Sequence, residues 1–271
     1  MNLKNEIKKA NTLLEALPYI RQFRGQCVVV KYGGSLMVAD DLKEQFAKDI
    51  VLLKYIGLNP VIVHGGGKEI SKWMKKMGKE AIFIDGLRVT DLETMEITEM
   101  VLTGKINSEV VSLMNQHGGS AVGLSGKDAN LFTAIKRKSK ANQSLGFVGD
   151  ITDVDTTLIH TLNNSGYIPV ISSVGHSPSG ESLNMNADHV AQAIATAIKS
   201  LKLIYLTDVP GLKINETLQS KLTLAQAKKL LSHKDVKSGM LPKLTCAVMA
   251  IQSGVTNVHI INGLIEHAVL L

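Results

Sequence analysis

From Gln26 onward, short runs rich in β-branched residues alternate with longer stretches of helical periodicity, and this alternation admits few folds. Strands separated by helices run parallel, because the helix is the crossover that returns the chain to the same edge of the sheet. The expected class is α/β, a three-layer α-β-α sandwich around a mainly parallel open sheet, in two lobes. Strands are predicted over 27–32, 60–64, 120–124, 168–172, 203–207 and 257–261. Helices are predicted near 41–56, 68–77, 91–116, 187–200, 224–231 and 241–253. Residues 131–154 differ: two alternating polar runs flank 136–144, as in an antiparallel hairpin with an exposed basic turn beside the main sheet.

Before the first strand, Leu3, Ile7, Ala10, Leu14 and Leu17 recur at three- and four-residue spacing, which predicts an amphipathic helix that Pro18 should kink or end. Residues 1–25 thus read as a helical arm, lying either on its own domain or against another subunit. Nothing in 26–271 resembles a repeat, a low-complexity tract or a linker.

Composition narrows the function classes. The two cysteines, Cys27 and Cys246, form no CxxC or Cys/His cluster, which disfavours a disulfide framework or a zinc site and fits a reducing, cytoplasmic setting. No apolar run approaches the roughly 18 residues of a membrane span. The net charge of +6 comes from scattered basic residues with few aromatics, a surface suited to anionic small molecules and not to nucleic acid.

Two of the best strands end in glycine-rich turns that lead toward helices, VVVKYGGS at 28–35 and VIVHGGGKEI at 61–70. In an open α/β sheet the carboxyl edge binds ligands, and helix N-termini there offer unpaired N–H groups to anions. The P-loop pattern fails around Lys68, since Ile62 stands at its first glycine and Glu69 follows the lysine. A dinucleotide fingerprint fails because Ile70 replaces its third glycine. Lys31, a charge at the end of a buried strand just before Gly33 and Gly34, either emerges into solvent or meets a phosphate at the turn.

Together KYGGS, HGGGKEI, DGLRVT at 85–90, LNMNAD at 183–188 and SGMLPK at 238–243 resemble, in order and spacing, the acetylglutamate kinases of the amino acid kinase family. The likeness covers nearly the whole chain from Gln26, and the arm is similar to that of the hexameric, arginine-regulated type. It implies an enzyme that uses ATP with Mg2+ to phosphorylate the side-chain carboxylate of N-acetyl-L-glutamate, in arginine biosynthesis. Position by position, it implies that Lys31 and Lys243 stabilise the transferring phosphoryl group and that Asp188 holds them. Gly33 and Gly34 would face the phosphates, while Gly66, Gly67, Arg88 and Asn184 would contact the acceptor. Asp208, Val209, Pro210, Gly211, Leu212 and Lys213, with Asp235, Val236 and Lys237, match the nucleotide-binding parts. Magnesium would ride on the phosphates, so no metal-ligand side chain is named. Residues 26–190 would form the acceptor half and 191–271 the nucleotide half of a homo-oligomer, hexameric if the arms interlock and otherwise dimeric.

A carboxylate acceptor, with a pKa near 4.3 for a glutamate side chain, is already an ionised nucleophile at neutral pH. The chemistry then needs no general base, and His64 reads as a structural or hydrogen-bonding residue. Repulsion between anions is the obstacle, which lysines, backbone amides and magnesium meet electrostatically. Regulated relatives continue past the segment resembling EHAVLL with an acidic residue and a glycine-rich strand that help form an arginine site, so inhibition by arginine is not expected of a chain ending at Leu271. Other acceptors (carbamate, aspartate, a nucleoside monophosphate or another phosphate) or a non-catalytic amino-acid sensor remain alternatives.

Overall fold

The structure, a computed structural model, describes residues 3–37, 39–139, 141–237 and 239–271. Lys140 in the hairpin turn, Ser238 of the SGMLPK segment and the first two residues of the arm lie outside them. The chain begins with α1 (Leu3–Phe23), β1 (Cys27–Tyr32), α2 (Asp40–Tyr55), β2 (Asn59–His64) and α3 (Gly67–Lys76). A two-strand hairpin, β3 (Phe83–Ile84) and β4 (Leu87–Arg88), precedes α4 (Leu92–Glu99), a π-helical segment (Met100–Ile106) and α5 (Asn107–Gln116). Then come β5 (Ala121–Leu124), β6 (Phe132–Lys138), β7 (Ser144–Val154), α6 (Thr157–Asn164), β8 (Ile168–Ser172), β9 (Val174–His176) and β10 (Ser182–Asn184). The remainder is α7 (Ala187–Ala197), β11 (Lys202–Thr207), β12 (Lys213–Ile214), β13 (Thr217–Leu218), α8 (Leu224–Leu230), α9 (Leu241–Gln252) and β14 (Asn257–Asn262).

Six strands form one sheet in the order β14-β11-β1-β2-β8-β5, parallel throughout. From β1 the chain builds outward through β2 on one side and returns through β11 on the other. The crevice at the carboxyl ends of β1, β2 and β11 is therefore the switch point where such sheets hold ligands. Period-2 alternation sorts each strand between two cores. Val28, Val30 and Tyr32 face α2, α3, α4 and α5, whereas Val29, with Val61, Val63 and Tyr205, packs under α6, α7 and α9. Helices on both faces of a parallel sheet give the expected three layers. A small satellite core, Leu212, Val236 and Leu244, ties the β12–β13 region to α9.

The hairpin expected over 131–154 is present as antiparallel β6 and β7, and β9 and β10 close it into a four-stranded barrel. One expectation is narrowed and one corrected. Of the two outcomes expected at Pro18, an end to the helix is excluded, because α1 runs through it to Phe23. Nor is 91–116 one regular helix: after Asp91 caps Thr94 N at 2.9 Å, the α-helix passes through seven π-helical residues before resuming at Asn107. The same register shift brings Leu102 and Ile106 up against Gly66.

Candidate active site

Strand parity decides where the first lysine points. Val29 and Lys31 share a face of β1, so the ammonium leaves the sheet on the side covered by α7. That helix starts there: Asn186 Oδ1 accepts from Asp188 N at 2.8 Å, a side-chain cap that fixes its first turn. Asp188 Oδ1 stands 3.0 Å from Lys31 Nζ, and Oδ2 accepts from Lys243 Nζ at 2.8 Å. Lys243 comes from the first turn of α9, an end where the helix dipole disfavours a cation, and Asp188 offsets that cost. The Asp188 side chain is 6% exposed. Burial pushes its carboxyl up, but Lys31 and Lys243 together outweigh it and hold the group below the usual carboxylate range.

The glycine turns wrap this bridge. A Cβ on Gly33 would lie 3.4 Å from Lys31 Nζ, so the turn passes directly against the ammonium, and Gly34 has φ +74°, a conformation that favours glycine. From β2 the chain reaches α3, whose first bond is Ile70 N to Gly66 O at 2.9 Å, leaving the amides of Gly67, Lys68 and Glu69 without intrahelical partners. Lys31, Gly33, Gly34, Gly66, Gly67, Arg88, Asn184 and Asp188 line one cavity of about 260 Å³. A larger, more apolar cavity of about 500 Å³ between α2, α3 and α5 meets it at Gly34, Gly66 and Gly67 but is lined by none of Lys31, Lys243 and Asp188. We take the smaller cavity as the reacting site, because the convergent charges lie there.

Arg88 is 7% exposed and donates to Gly67 O and Ser71 Oγ, both at 2.8 Å, and to Met74 Sδ at 3.1 Å, with its guanidinium 4.8 Å from the Phe83 ring. Burial lowers its pKa, yet a guanidinium stays charged in proteins. Asn184 Nδ2 donates to Thr90 Oγ1 at 3.2 Å, and that hydroxyl donates to Arg88 O at 2.9 Å, so the two candidate acceptor contacts are linked. His64 is fully buried, donates from Nδ1 to Gly65 O and accepts at Nε2 from Asn107 Nδ2, and burial lowers its pKa to about 4. Both ring nitrogens are therefore engaged by the protein itself, as expected of a structural hydrogen-bonding residue.

On the opposite side, 208–213 and 235–237 come together although distant in sequence. Asp235 Oδ2 accepts from Asn215 N at 2.8 Å, and Leu212 and Val236 pack with Leu244. Leu212 and Val236 therefore turn their side chains into the satellite core, and Gly211 is buried, while Asp208, Val209, Pro210, Lys213 and Lys237 are exposed. Lys237 O accepts from Leu241 N at 2.9 Å, which joins this loop to the helix bearing Lys243. Among the described residues no group of three or more His, Cys, Asp or Glu is placed to share a metal. Gly65 of the second glycine turn also lines the cavity, whereas sequence reasoning assigned no role to Phe83, Asn186 and Ala187, which line it too. Of these only Asn186, an asparagine just before a helical run, carried a signal, that of an N-cap.

The chain matches the amino acid kinase family over residues 26–262. It is 52% identical over 274 residues to an acetylglutamate kinase of Geotalea uraniireducens, covering 98% of this chain and 94% of that one. To an acetylglutamate kinase of Syntrophobacter fumaroxidans it is 53% identical over 275 residues, covering 98% and 92%. Among solved structures it is similar to N-acetylglutamate synthase from Neisseria gonorrhoeae complexed with coenzyme A and N-acetyl-glutamate, with TM-score 0.85 and 27% identity, over 96% of this chain and 60% of that longer one. The chain belongs to the amino acid kinase family, in its acetylglutamate kinase branch.

Proposed function

We propose that this chain transfers the γ-phosphoryl group of ATP to the side-chain carboxylate of N-acetyl-L-glutamate, giving ADP and N-acetylglutamyl 5-phosphate, a step of arginine biosynthesis. The observation that carries the reading is the Lys31–Asp188–Lys243 bridge beside two glycine turns. A carboxylate oxygen of the acceptor forms the new bond to phosphorus as the bond to the bridging oxygen breaks, and the electron pair leaves on ADP. No proton moves, because the acceptor is already ionised. Lys31 and Lys243 meet the equatorial oxygens from two sides, and Asp188 holds both ammonium groups at about their working separation without neutralising the pair. Amides of the Gly33–Gly34 and Gly66–Gly67 turns add fixed dipoles.

Arg88 would grip a carboxylate of the acceptor and Asn184 a further polar group. The exposed part of 208–213 with 235–237 would receive the nucleotide, so that 26–190 serves the acceptor and 191–271 the nucleotide. Magnesium, when bound with ATP, supplies further charge neutralisation at the phosphates; Asp188, the carboxylate among the described residues that line the cavity, already holds two lysines, which supports a metal carried by the nucleotide. Cytoplasmic residence fits the two free thiols, Cys27 and Cys246. The arm supports a homo-oligomer, since none of its described residues is buried on the body of its own chain.

Hydroxylamine trapping tests the reaction. With ATP and magnesium, hydroxamate should form with N-acetylglutamate and stay at background with glutamate, aspartate or no acceptor. A preference for another acceptor would replace the substrate, and no signal from folded protein with any acceptor would remove the kinase reading.

A further inference from the structure

The Asp188 carboxylate is useful only if it points between two lysines carried by different elements, and one buried tyrosine adjoins the elements that carry all three. Tyr205 lies on β11 directly beside Lys31 in the parallel register with β1. It is 0% exposed and packs among Val29, Leu203, Val190 and Ala191, a layer in which a hydroxyl without a partner is costly. Its partner is the main chain of the catalytic carboxylate: Tyr205 Oη donates to Asp188 O at 3.1 Å. The Cys246 thiol, one turn beyond Lys243 on α9, lies against the same hydroxyl. Asp188 is thus held at both main-chain groups, its N–H by Asn186 Oδ1 and its C=O by Tyr205.

We propose that Tyr205 is a positioning residue that sets the start of α7, and with it the Asp188 carboxylate, relative to Lys31 and Lys243. The inference rests on the catalytic reading of that bridge. Burial pushes the phenol far above its ordinary value of 10, so the hydroxyl keeps its proton and donates at every working pH. Loss of the bond lets α7 settle slightly, which lengthens one or both ion pairs and weakens the hold on the phosphoryl oxygens. Because the lysines act mainly on the transition state, the loss falls on turnover and not on substrate binding.

The test compares Tyr205→Phe, Val255→Ala and Asp188→Asn in steady-state kinetics over pH with thermal melting. Tyr205→Phe should lower kcat roughly three- to tenfold, the worth of one hydrogen bond. Both KM values should stay near wild type, and the acid limb of kcat should move to higher pH as Asp188 loses part of its pairing. Val255→Ala, a packing lesion in the same core that leaves Tyr205 and Cys246 in place, should lower Tm without moving kcat or the acid limb. Wild-type kcat and acid limb in Tyr205→Phe overturn the proposal whatever Tm does, and so does the same kinetic change in Val255→Ala. Wild-type turnover in Asp188→Asn overturns the underlying catalytic reading; lost turnover there beside a normal Tyr205→Phe overturns the positioning role alone.

Discussion

Removing the Lys243 ammonium breaks its ion pair with Asp188, keeps that of Lys31 and, in the proposed mechanism, withdraws one of two cations from the developing charge. Lys243→Ala should therefore reduce kcat by about 10²–10³-fold, in the range for loss of one preorganised transition-state donor, with the fold intact by circular dichroism. Undiminished turnover would take Lys243 out of the mechanism. A second expectation concerns His64, whose folded pKa is depressed from the ordinary 6.5 to about 4. As pH falls through this window the unfolded chain binds a proton that the folded chain refuses, so stability falls by about 3 kcal/mol from this residue. Urea unfolding near neutrality and near pH 4 should show a smaller acid loss in His64→Gln than in wild type; equal losses would show that His64 takes up its proton freely in the folded state. At this scale the sequence was legible where a residue broke a local rule. Lys31 stood out as a charge ending an apolar strand, whereas Asp188, Arg88 and Asn184 acquired roles only through the resemblance. Tyr205 gave no signal, since a tyrosine in a β-branched run reads as ordinary core.

Between β2 and α3 the backbone of Gly66 runs so close to the π-helical segment that an added Cβ would lie 2.7 Å from Leu102 Cδ2 and overlap Ile106 Cδ1. With φ at 178° the residue is simply extended, so the requirement is for space and not for an unusual dihedral. Gly66→Ala should cost about 1–3 kcal/mol, because Leu102 and Ile106 are themselves buried and have little room to yield. It should also raise the acceptor KM by displacing the α3 amides; a variant with wild-type stability and KM would mean that the π segment gives way freely. The π segment was illegible because its apolar residues keep nearly the spacing of an α-helix, and periodicity sees faces, not hydrogen-bond partners. The short strands β3, β4, β9 and β10 were missed for a related reason: two or three residues are too few to display an alternation. By contrast the six sheet strands, each framed by turns and helices, were placed to within a residue or so of their ends.

At the scale of the whole molecule the α/β alternation determined the layers and the carboxyl-edge site, but the arm follows a different logic. Several of its apolar residues are left open: Leu3, Leu13 and Leu14 are 73%, 74% and 66% exposed, while its end is anchored, where Phe23 packs against the core and meets Lys202. Covering a leucine completely gains roughly 1.5–3 kcal/mol, so several left open on one helix form a strong incentive for association. Deleting residues 1–20, which leaves Phe23 and Arg24 on the body, should lower the mass measured by light scattering while the activity per chain is retained. The two outcomes separate the alternatives that the sequence left open. A smaller but active particle makes the arm the contact between subunits, whereas an unchanged mass assigns assembly to another surface and leaves the arm's apolar stripe to some other partner.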